Sequence, residues 1–403
     1  MSEEFVVTRY RGKLLTAVFS GNTAVSLTLE PDGGESILNN VYVAKVQSMV
    51  KNLGAAFVEL DGEQKAYLQL EAADPVRVLN RPDATSLRPG DELVVQVCRD
   101  ALKTKVAAAT VCVSLTGRYC VVTEGKASGV SISSKISDSS FKKRMRERVA
   151  SFLTELGVDT FGVILRTNSA KVDEDVLLGE IGQLVREIQT IHAQAAHRTC
   201  YTCLRRGVPG YVSQLRDARQ GRIGAIVTDQ SDCFEEISKY LKEHQPQDLG
   251  VLSFYQDPMV SLSALKRLER VMTEALDKKV WLKSGGYLVI DPTEAMVVID
   301  VNTGKYAGKK TFEETILKIN LEAATEIARQ LKLRNLSGII MVDFIDMKSQ
   351  EHQELLLETL KRAVSADSVK TVVVDITRLG LVELTRKKVR KPLYEQVRGE
   401  ERL

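Results

Sequence analysis

The sequence lacks three features that would place the protein in a membrane or outside the cell. No stretch approaches the roughly 18 consecutive apolar residues of a membrane-spanning helix. The first residues, MSEEF, are acidic and do not resemble a signal peptide. The 6 cysteines among 403 residues are too scattered for a secreted disulfide framework. We therefore expect a soluble protein of a reducing cytoplasm.

Aromatic residues and excess charge are also scarce. Phe, Trp and Tyr make up 5% of the chain and Trp281 is the single tryptophan, so a cluster of exposed aromatics would be informative. A net charge of +3 is small for this length, so nucleic-acid binding would depend on local basic patches. With 44% hydrophobic and 27% charged residues, the composition is that of a globular protein, long enough for two or more domains.

Short strand patterns dominate the first third of the chain, and alternating strands and helices dominate the last. Residues 37–115 hold five strand-like segments with turns between them, which predicts a small closed barrel such as an OB-fold, with a β-sandwich as the alternative. Residues 116–210 mix the strand FGVILRT with two amphipathic helices. From GGYLVIDP onward, strands alternate with helices at about 312–333 and 351–365, which predicts an α/β layer.

Acidic side chains end several of the apolar runs. In AMVVIDVN, Asp300 and Asn302 are two residues apart and therefore share one face of a strand. Asp343 ends the apolar run of the strand GIIMVDFIDM. If the two strands are neighbours, Asp300 and Asp343 converge at the strand ends where α/β layers bind ligands. Oxygen ligands without His or Cys favour Mg²⁺ or Mn²⁺.

Each of these aspartates has an alternative role as a turn cap or as the partner of a nearby lysine. Asp346 would point to the opposite face if the strand after Asp343 continued. We expect Glu294 to lie in a turn rather than in a metal site. Asp291 and Asp375 also end apolar runs and are weaker candidates.

Several stretches closely resemble one known family. SGGYLVIDPTEAMVVIDVNTGKYAGKK, NLEAATEIARQLKLRNLSG, IIMVDFIDM and DITRLGLVELTRKKVR are similar to the catalytic domain of the bacterial ribonuclease E/G family. Its members are Mg²⁺-dependent endoribonucleases that cut single-stranded, AU-rich RNA to 5′-phosphate and 3′-hydroxyl ends, in rRNA and tRNA processing and mRNA decay. The resemblance implies that Asp300 and Asp343 bind Mg²⁺, with Mn²⁺ as the alternative. Asn302 would orient the metal-bound groups or the scissile phosphate.

The resemblance also implies a multidomain α/β and α+β fold. Residues 1–36 and 211–275 would form a discontinuous, structural RNase H-like domain. An S1-type OB-fold barrel at 37–115 and a 5′-sensor domain at 116–210 would be inserted into it. Residues 276–403 would form a DNase I-like catalytic domain.

Further candidate RNA contacts lie away from the carboxylates. Phe57 and Tyr67 stand on adjacent predicted strands and are either core residues or exposed rings; the resemblance implies that they contact RNA. Arg166 and Thr167 suit a terminal phosphate, with a surface salt bridge as the alternative. In the family this pair binds the substrate's 5′-monophosphate, assisted by a basic residue at the position of Lys370. We therefore expect faster cleavage of 5′-monophosphorylated RNA.

The sequence departs from the family pattern in its cysteines. Members usually carry a zinc link just past the catalytic domain, but no cysteine follows Cys233 here. Structural zinc is therefore not expected, and a monomer or a homodimer without a zinc link is. Cys200 and Cys203 form the C-x-x-C pair, which we expect to be buried thiols of a helix. The layout is closest to the shorter ribonuclease G branch.

Three alternatives remain for the basic run and for the function. The run TRKKVRKP at 385–392 is predicted to be a solvated helix face, with an RNA-backbone contact as the alternative. A non-catalytic RNA-binding protein would not need Asp300, Asn302 and Asp343. A Mg²⁺-dependent phosphatase or DNase would need neither the barrel nor the Arg-Thr pair. The sequence therefore favours an endoribonuclease.

Overall fold

The structure is a computed structural model that describes residues 2–32, 36–71, 74–101, 106–125, 129–219, 221–304 and 312–398. The chain divides into two compact units. One consists of residues 33–220, and the other joins residues 1–32 to residues 221–403. In the described part of the chain, no helix combines the length and the apolar character needed to cross a bilayer.

The elements follow the chain in this order. The strands are β1 Glu3–Tyr10, β2 Lys13–Ser20, β3 Thr23–Pro31, β4 Val41–Val50, β5 Ala55–Glu59, β6 Lys65–Gln69, β7 Glu92–Arg99, β8 Ala107–Thr110, β9 Ser114–Thr116, β10 Cys120–Glu124, β11 Gly129–Ile132, β12 Phe161–Leu165, β13 Cys203–Arg205, β14 Ile223–Thr228, β15 Leu252–Phe254, β16 Lys279–Trp281, β17 Tyr287–Pro292, β18 Met296–Asn302, β19 Gly338–Asp343, β20 Thr371–Ile376 and β21 Val382–Arg386. The helices are α1 Ser139–Glu155, α2 Glu174–Ala195, α3 Gly210–Asp217, α4 Ser231–His244, α5 Leu262–Leu265, α6 Leu268–Leu276, α7 Phe312–Leu333, α8 Gln350–Ser365 and α9 Leu393–Arg398.

A closed barrel occupies the first half of the 33–220 unit. Its strands run in the order β4, β5, β6, β8 and β7, and β7 pairs back with β4. Strands β6 and β8 are parallel, whereas the other neighbours are antiparallel. Alternate side chains such as Val58, Leu68 and Val95 fill the interior. The predicted five-strand barrel is confirmed, and it is consistent with an OB-like domain.

The second half of this unit is a sheet packed against two helices. The strand order is β11, β12, β10 and β9. Helices α1 and α2 cover it through apolar side chains that include Met145, Val149, Ile181 and Ile188. Asp138 begins α1 by accepting hydrogen bonds from the backbone of Ser140 and Phe141. The predicted strand and both predicted helices are present.

In the other unit, the first strands of the chain find partners far along the sequence. The sheet order is β15, β14, β1, β2 and β3, with β1 parallel to β14 and antiparallel to β2. Leu15 and Leu27 of this sheet pack with Leu262, Leu268 and Met272 of α5 and α6. The sheet thus joins residues 3–31 to residues 223–254.

A second sheet in the same unit positions the candidate catalytic residues. Its order is β16, β17, β18, β19, β21 and β20, and β18 and β19 are parallel because α7 connects them. Helices α7 and α8 cover one face, where Ile319 and Leu360 pack with strand residues Ile299 and Ile340. Side chains of alternate parity, including Asp300, point to the opposite face. The predicted strand–helix alternation is confirmed.

Two local predictions are wrong. The run 385–392 is not a helix: β21 ends at Arg386, and α9 begins only at Leu393. Pro392 disfavours helical geometry in the residue before it, so the helix starts after the basic run. Cys200 lies in a turn and Cys203 in β13, so neither is helical. The positive φ of 72° at Tyr201 is incompatible with a continuing helix.

Candidate active site

Asp300 and Asp343 are register partners on the neighbouring parallel strands β18 and β19. Opposed residues of adjacent strands point to the same face, and such strands are about 4.8 Å apart. Both aspartates are exposed at the carboxyl ends of their strands. The sequence prediction required these two strands to be neighbours, and the pairing meets that requirement.

Asn302 belongs to the same group of side chains. It follows Asp300 by two residues on β18, and its Nδ2 donates a hydrogen bond to Asp300 Oδ2 at 2.7 Å. This bond restricts the rotation of the Asp300 carboxylate. Asn302 therefore orients Asp300, whichever ligand the carboxylate binds.

The charges at this edge of the sheet are uncompensated within the described residues. Burial raises the pKa of Asp343, and the charges of Asp300 and Asp346 raise it further. Neither Asp300 nor Asp343 forms an ion pair with a lysine or arginine of the described chain. A divalent cation would relieve this repulsion.

The donor set suits a cation that is only partly bound by protein. Among the described residues, no group of three or more His, Cys, Asp or Glu side chains is arranged to hold a metal ion. Mg²⁺ typically binds through one or two carboxylates, with water and substrate phosphate completing its shell. Asp300 and Asp343 therefore fit an ion shared with a phosphate, rather than a closed structural site.

Asp346 lies close enough to Asp343 for its charge to raise the pKa of Asp343, although it follows the end of the strand. The segment after Asp343 is irregular, so strand alternation does not direct Asp346 to the far face. Buried Asn320 of α7 holds this segment: its Nδ2 donates to Ile345 O at 2.8 Å, and its Oδ1 accepts from Ile345 N at 3.2 Å. Sequence reasoning missed Asn320, although an asparagine on the apolar face of a helix is a signal of such a role.

The remaining acidic candidates lie elsewhere. Glu294 is in the turn between β17 and β18, at the opposite end of β18 from Asp300. Asp291 forms an exposed ion pair with Lys278 at 3.0 Å. Asp375 is on the edge strand β20, which pairs with β21 rather than with β19. We therefore retain only Asp346 as a further acidic neighbour of the site.

Two glycine-containing turns pack together beneath the strand end that carries Asn302. A Cβ atom at Gly286 would lie 2.8 Å from the Asn302 carbonyl oxygen. A Cβ atom at Gly304 would lie 2.2 Å from the Gly285 carbonyl oxygen, and Gly304 has a φ of 61°. Glu322 of α7 accepts from Lys283 N at 2.6 Å and thereby ties the first turn to the helix.

Comparison with known proteins shows which family of proteins the chain is similar to. The family model described as "Ribonuclease E/G family" matches residues 114–389. The chain is 33% identical to "Ribonuclease G" of Salmonella typhimurium, over 97% of this chain and 81% of that protein. It is also 33% identical to "Ribonuclease E" of Nostoc sp., over 94% of this chain but 55% of that longer protein.

The chain belongs to the ribonuclease E/G family. A third relative, "Ribonuclease G" of Haemophilus influenzae, is 34% identical over 91% of this chain and 75% of its own length. The match to the family model starts after the barrel strands, whereas the matches to the relatives include most of the chain. The resemblance seen in the sequence is therefore confirmed.

The aromatic pair of this family member's barrel lies outside the barrel core. Phe57 and Tyr67 are register partners on β5 and β6, and their ring centroids are 5.7 Å apart in an edge-to-face arrangement. Both are half-buried, whereas Val58 and Leu68, the residues after them, are fully buried. The two rings thus lie on the outer face, and their contact with RNA stays a prediction.

Arg166 and Thr167 lie at the end of β12 and already have partners. The Arg166 guanidinium donates to Gly117 O at 2.7 Å and to Asp217 Oδ1 at 2.8 Å. Burial would raise the pKa of Asp217, but neighbouring guanidinium groups, led by Arg166, hold it below its usual value. The Thr167 hydroxyl lies 3.1 Å from the Ser133 hydroxyl. The salt bridge considered for Arg166 is thus present.

A carboxylate that sequence reasoning missed, that of Glu180, fixes the backbone next to Arg166. Glu180 of α2 accepts hydrogen bonds from the backbone N–H groups of residues 118–120, at 2.7, 2.8 and 3.0 Å. A Cβ atom at Gly117 would lie 2.5 Å from Glu180, so the glycine permits this approach. The Gly117 carbonyl that binds Arg166 is therefore held in place. Lys370 is exposed and belongs to the other unit, and its role in phosphate binding stays a prediction.

Proposed function

We propose that this protein is a Mg²⁺-dependent endoribonuclease that hydrolyses single-stranded, AU-rich RNA to 5′-phosphate and 3′-hydroxyl ends. Its family identifies it as an endoribonuclease. The metal dependence is supported by one observation above all, the register pairing of Asp300 with Asp343 on adjacent strands. Processing of rRNA and tRNA and decay of mRNA are the cellular roles that we propose for it.

Each residue of the site would have a separate role in binding the ion. Asp300 and Asp343 would hold the ion, because their oxygens suit Mg²⁺ and carry charge that nothing in the described chain neutralises. When bound, Mg²⁺ supplies Lewis acidity toward the phosphate and toward water. Asn302 keeps Asp300 in one orientation through its hydrogen bond. Asp346 adds negative charge that strengthens the attraction for a cation.

We also propose for this chain the domain layout that the family resemblance implies. The sheet that joins residues 3–31 to 223–254 suits an RNase H-like domain interrupted by an insertion. The closed barrel suits an S1-type RNA-binding domain, and the sheet with α1 and α2 suits a 5′-sensor domain. The sheet covered by α7 and α8 suits a DNase I-like catalytic domain.

Single-stranded RNA would bind the barrel through Phe57 and Tyr67. Their half-buried rings offer outer surfaces on which bases can stack, which is the usual way in which OB-type barrels bind single strands. Exposed Lys65 lies two residues from Tyr67 and adds positive charge on β6. This contact would tolerate different base sequences, because every base has a face to stack.

Arg166 and Thr167 would bind a 5′-monophosphate. The guanidinium is fixed by Gly117 and Asp217, and the next residue in the chain carries a hydroxyl, so the segment offers two donors suited to phosphate oxygens. The variants Arg166→Gln and Asp217→Asn separate the two roles of the arginine. We expect Arg166→Gln to remove the preference for 5′-monophosphorylated over 5′-hydroxyl RNA. Asp217→Asn should keep it, because the guanidinium remains. Equal rates on both RNAs with the unmodified protein would refute the sensor.

The deciding experiment is cleavage of a 5′-monophosphorylated, single-stranded, AU-rich RNA, with Mg²⁺ and with EDTA. We expect cleavage in Mg²⁺, none in EDTA, and recovery when Mg²⁺ is restored. The product ends should accept ligation as 5′-phosphate and 3′-hydroxyl groups. Binding of the RNA without cleavage under all these conditions would support the non-catalytic alternative instead.

A further inference from the structure

The single tryptophan of the chain lies exposed on the catalytic sheet. Trp281, at the end of the edge strand β16, has a relative exposure of 64%. Its ring centroid lies 5.3 Å from that of Tyr287 on β17, at an interplanar angle of 59°. The ammonium of Lys279 lies 4.1 Å from the Trp281 centroid and 3.7 Å from that of Tyr287. A cation and two aromatic rings thus form one cluster.

The strand register places this cluster on the face that carries the aspartates. Trp281 opposes Tyr287, and Tyr287 opposes Asn302. In the next row, Lys279 and Asp300 both oppose Val289. Residues that oppose each other share a face, so the cluster and the candidate metal ligands are on the same side of the sheet.

The separation suits neighbouring positions on one RNA strand. Two strand spacings, roughly 10 Å, separate β16 from β18. A short stretch of extended RNA can therefore have one phosphodiester at Asp300 and a nearby base at Trp281. Lys279 is in the same row of the sheet as Asp300, and its ammonium lies against both rings, so it supplies positive charge for a phosphate bound beside the cluster.

The chemistry of the cluster selects a base as its ligand. Proteins bind single-stranded RNA by stacking bases on exposed aromatic rings and by pairing basic side chains with the phosphates. An exposed indole beside a phenol and an ammonium supplies both interactions in one place. The high exposure of Trp281 also means that its ring contributes little to the packing of the sheet.

We propose that Trp281 and Tyr287, together with Lys279, bind a base of the RNA next to the phosphodiester that is cleaved. This assignment rests on the proposed function, because it locates the cleaved bond at Asp300 and Asp343. This cluster of Lys279, Trp281 and Tyr287 would favour single-stranded RNA, since a base within a duplex has no free face to stack. It would discriminate weakly among the four bases.

The tryptophan fluorescence of the protein reports on Trp281 alone, because the chain has no other tryptophan. In EDTA, a short 5′-monophosphorylated oligoribonucleotide of A and U should quench the Trp281 emission. The quenching should saturate together with binding measured by the anisotropy of a labelled copy. Trp281→Ala should raise the Kd by roughly 5- to 150-fold, the range for one stacked base, whereas Trp281→Phe should retain most of the affinity.

A series of oligonucleotides, each with one abasic ribose, identifies the base that is bound. At one position near the cleaved bond, the missing base should weaken binding to the unmodified protein as much as Trp281→Ala does. Trp281→Ala should be insensitive to the missing base at that position. Val374→Ala is the matched control, because Val374 is an exposed apolar residue on the opposite edge strand, β20, with a relative exposure of 53%.

The outcomes separate this proposal from the proposed function. If RNA leaves the Trp281 emission of the unmodified protein unchanged and Trp281→Ala leaves the Kd unchanged, the stacking site is refuted, even if Asp343→Asn abolishes cleavage. That result would show that the exposed Trp281 ring does not bind RNA. Conversely, if the unmodified protein cuts no RNA, the proposed function fails, whereas RNA-dependent quenching that is lost when one particular base is missing would still support a stacking site at Trp281. Equal thermal melting of Trp281→Ala and Val374→Ala excludes misfolding as the cause of a loss.

Discussion

The two sheets in the unit formed by residues 1–32 and 221–403 differ in how their acidic side chains are neutralised. In the first sheet, Glu4 of β1 binds the Lys266 ammonium at 2.7 Å with both carboxylate oxygens. At the end of the second sheet, Asp300 opposes Asp343, and the described residues provide no basic partner for either. Two like charges side by side destabilise a fold. The second arrangement therefore indicates function, and the first indicates structure.

The difference belongs to the site and not to the second sheet as a whole. Arg386 of β21 is buried and donates to Asp367 Oδ2 at 2.8 Å. The same guanidinium also donates to Asn335 Oδ1 at 2.9 Å and to the Leu336 carbonyl oxygen at 3.0 Å. Elsewhere in this sheet, then, a carboxylate is neutralised and satisfied. Only at the carboxyl ends of β18 and β19 do we contrast carboxylates, Asp300 and Asp343, for which the described residues provide no basic side chain as a partner.

The largest effects are expected when Asp300 or Asp343 is neutralised on its own. Asp300→Asn and Asp343→Asn should each lower the single-turnover cleavage rate by roughly 1000-fold or more, since a metal ion contributes several kcal/mol to catalysis. Their melting temperatures should stay the same or rise, because one of two repelling charges is gone. Asp291→Asn is the control, an exposed carboxylate of the same sheet that pairs with Lys278. A similar loss in Asp291→Asn would contradict the assignment.

The structural ion pair should show the opposite behaviour. Arg386→Met removes the guanidinium that donates to buried Asp367, so it should lower the free energy of unfolding by about 3–5 kcal/mol. Urea denaturation followed by circular dichroism measures this loss. Arg270→Gln removes an exposed ion pair with Glu274 and should leave the free energy of unfolding nearly unchanged, because solvent screens that pair. Equal effects of the two substitutions would remove the distinction between buried and exposed pairs.

Asn320 tests whether the segment after β19 needs its support. Asn320→Ala leaves the backbone of Ile345 without its side-chain partners in a buried place, which should cost about 1–3 kcal/mol of stability. Cleavage should also slow, because Asp346 is on the released segment. Thr325→Ala, an exposed position on the same helix, is the control for both measurements. An active enzyme of unchanged stability would show that Asn320 does not position the segment.

The smallest expected effect concerns the barrel. Tyr67→Ala should weaken binding of single-stranded RNA by about 1–3 kcal/mol, the contribution of one stacked base. Tyr67→Phe should leave it nearly unchanged, because the ring is retained. Anisotropy titrations in EDTA measure both. If removal of the hydroxyl weakens binding as much as removal of the ring, the contact is a hydrogen bond and not a stack.

The sequence predicted the elements well because their signals are local. Apolar periodicity located the helices Phe312–Leu333 and Gln350–Ser365, and the alternation in residues 37–115 predicted a closed barrel. The pair Asp300 and Asn302 could be placed on one face from their spacing alone. Whether Asp343 would join them depended on which strands pair, and spacing along one strand does not determine its neighbours.

What the sequence left open depends on distant partners. The bond of Arg166 to Asp217 joins residues that are 51 positions apart, so the choice between a salt bridge and a phosphate ligand needed coordinates. The contact of Trp281 with Tyr287 could in principle have been predicted from the sequence. The turn SGG between them predicts a hairpin, and the register of a hairpin follows from its turn. The basic run at 385–392 was misread because charge alone does not distinguish a helix from an extended segment.

We expect Asp300 and Asp343 together to hold one divalent cation in the RNA complex. Electron paramagnetic resonance of Mn²⁺ measures this directly, because bound Mn²⁺ loses the signal of the free ion. With a non-cleavable RNA present, we expect the unmodified protein to bind one more Mn²⁺ than either Asp300→Asn or Asp343→Asn does. The same number of bound ions, with the same affinity, in all three proteins would show that the two aspartates do not hold a shared cation.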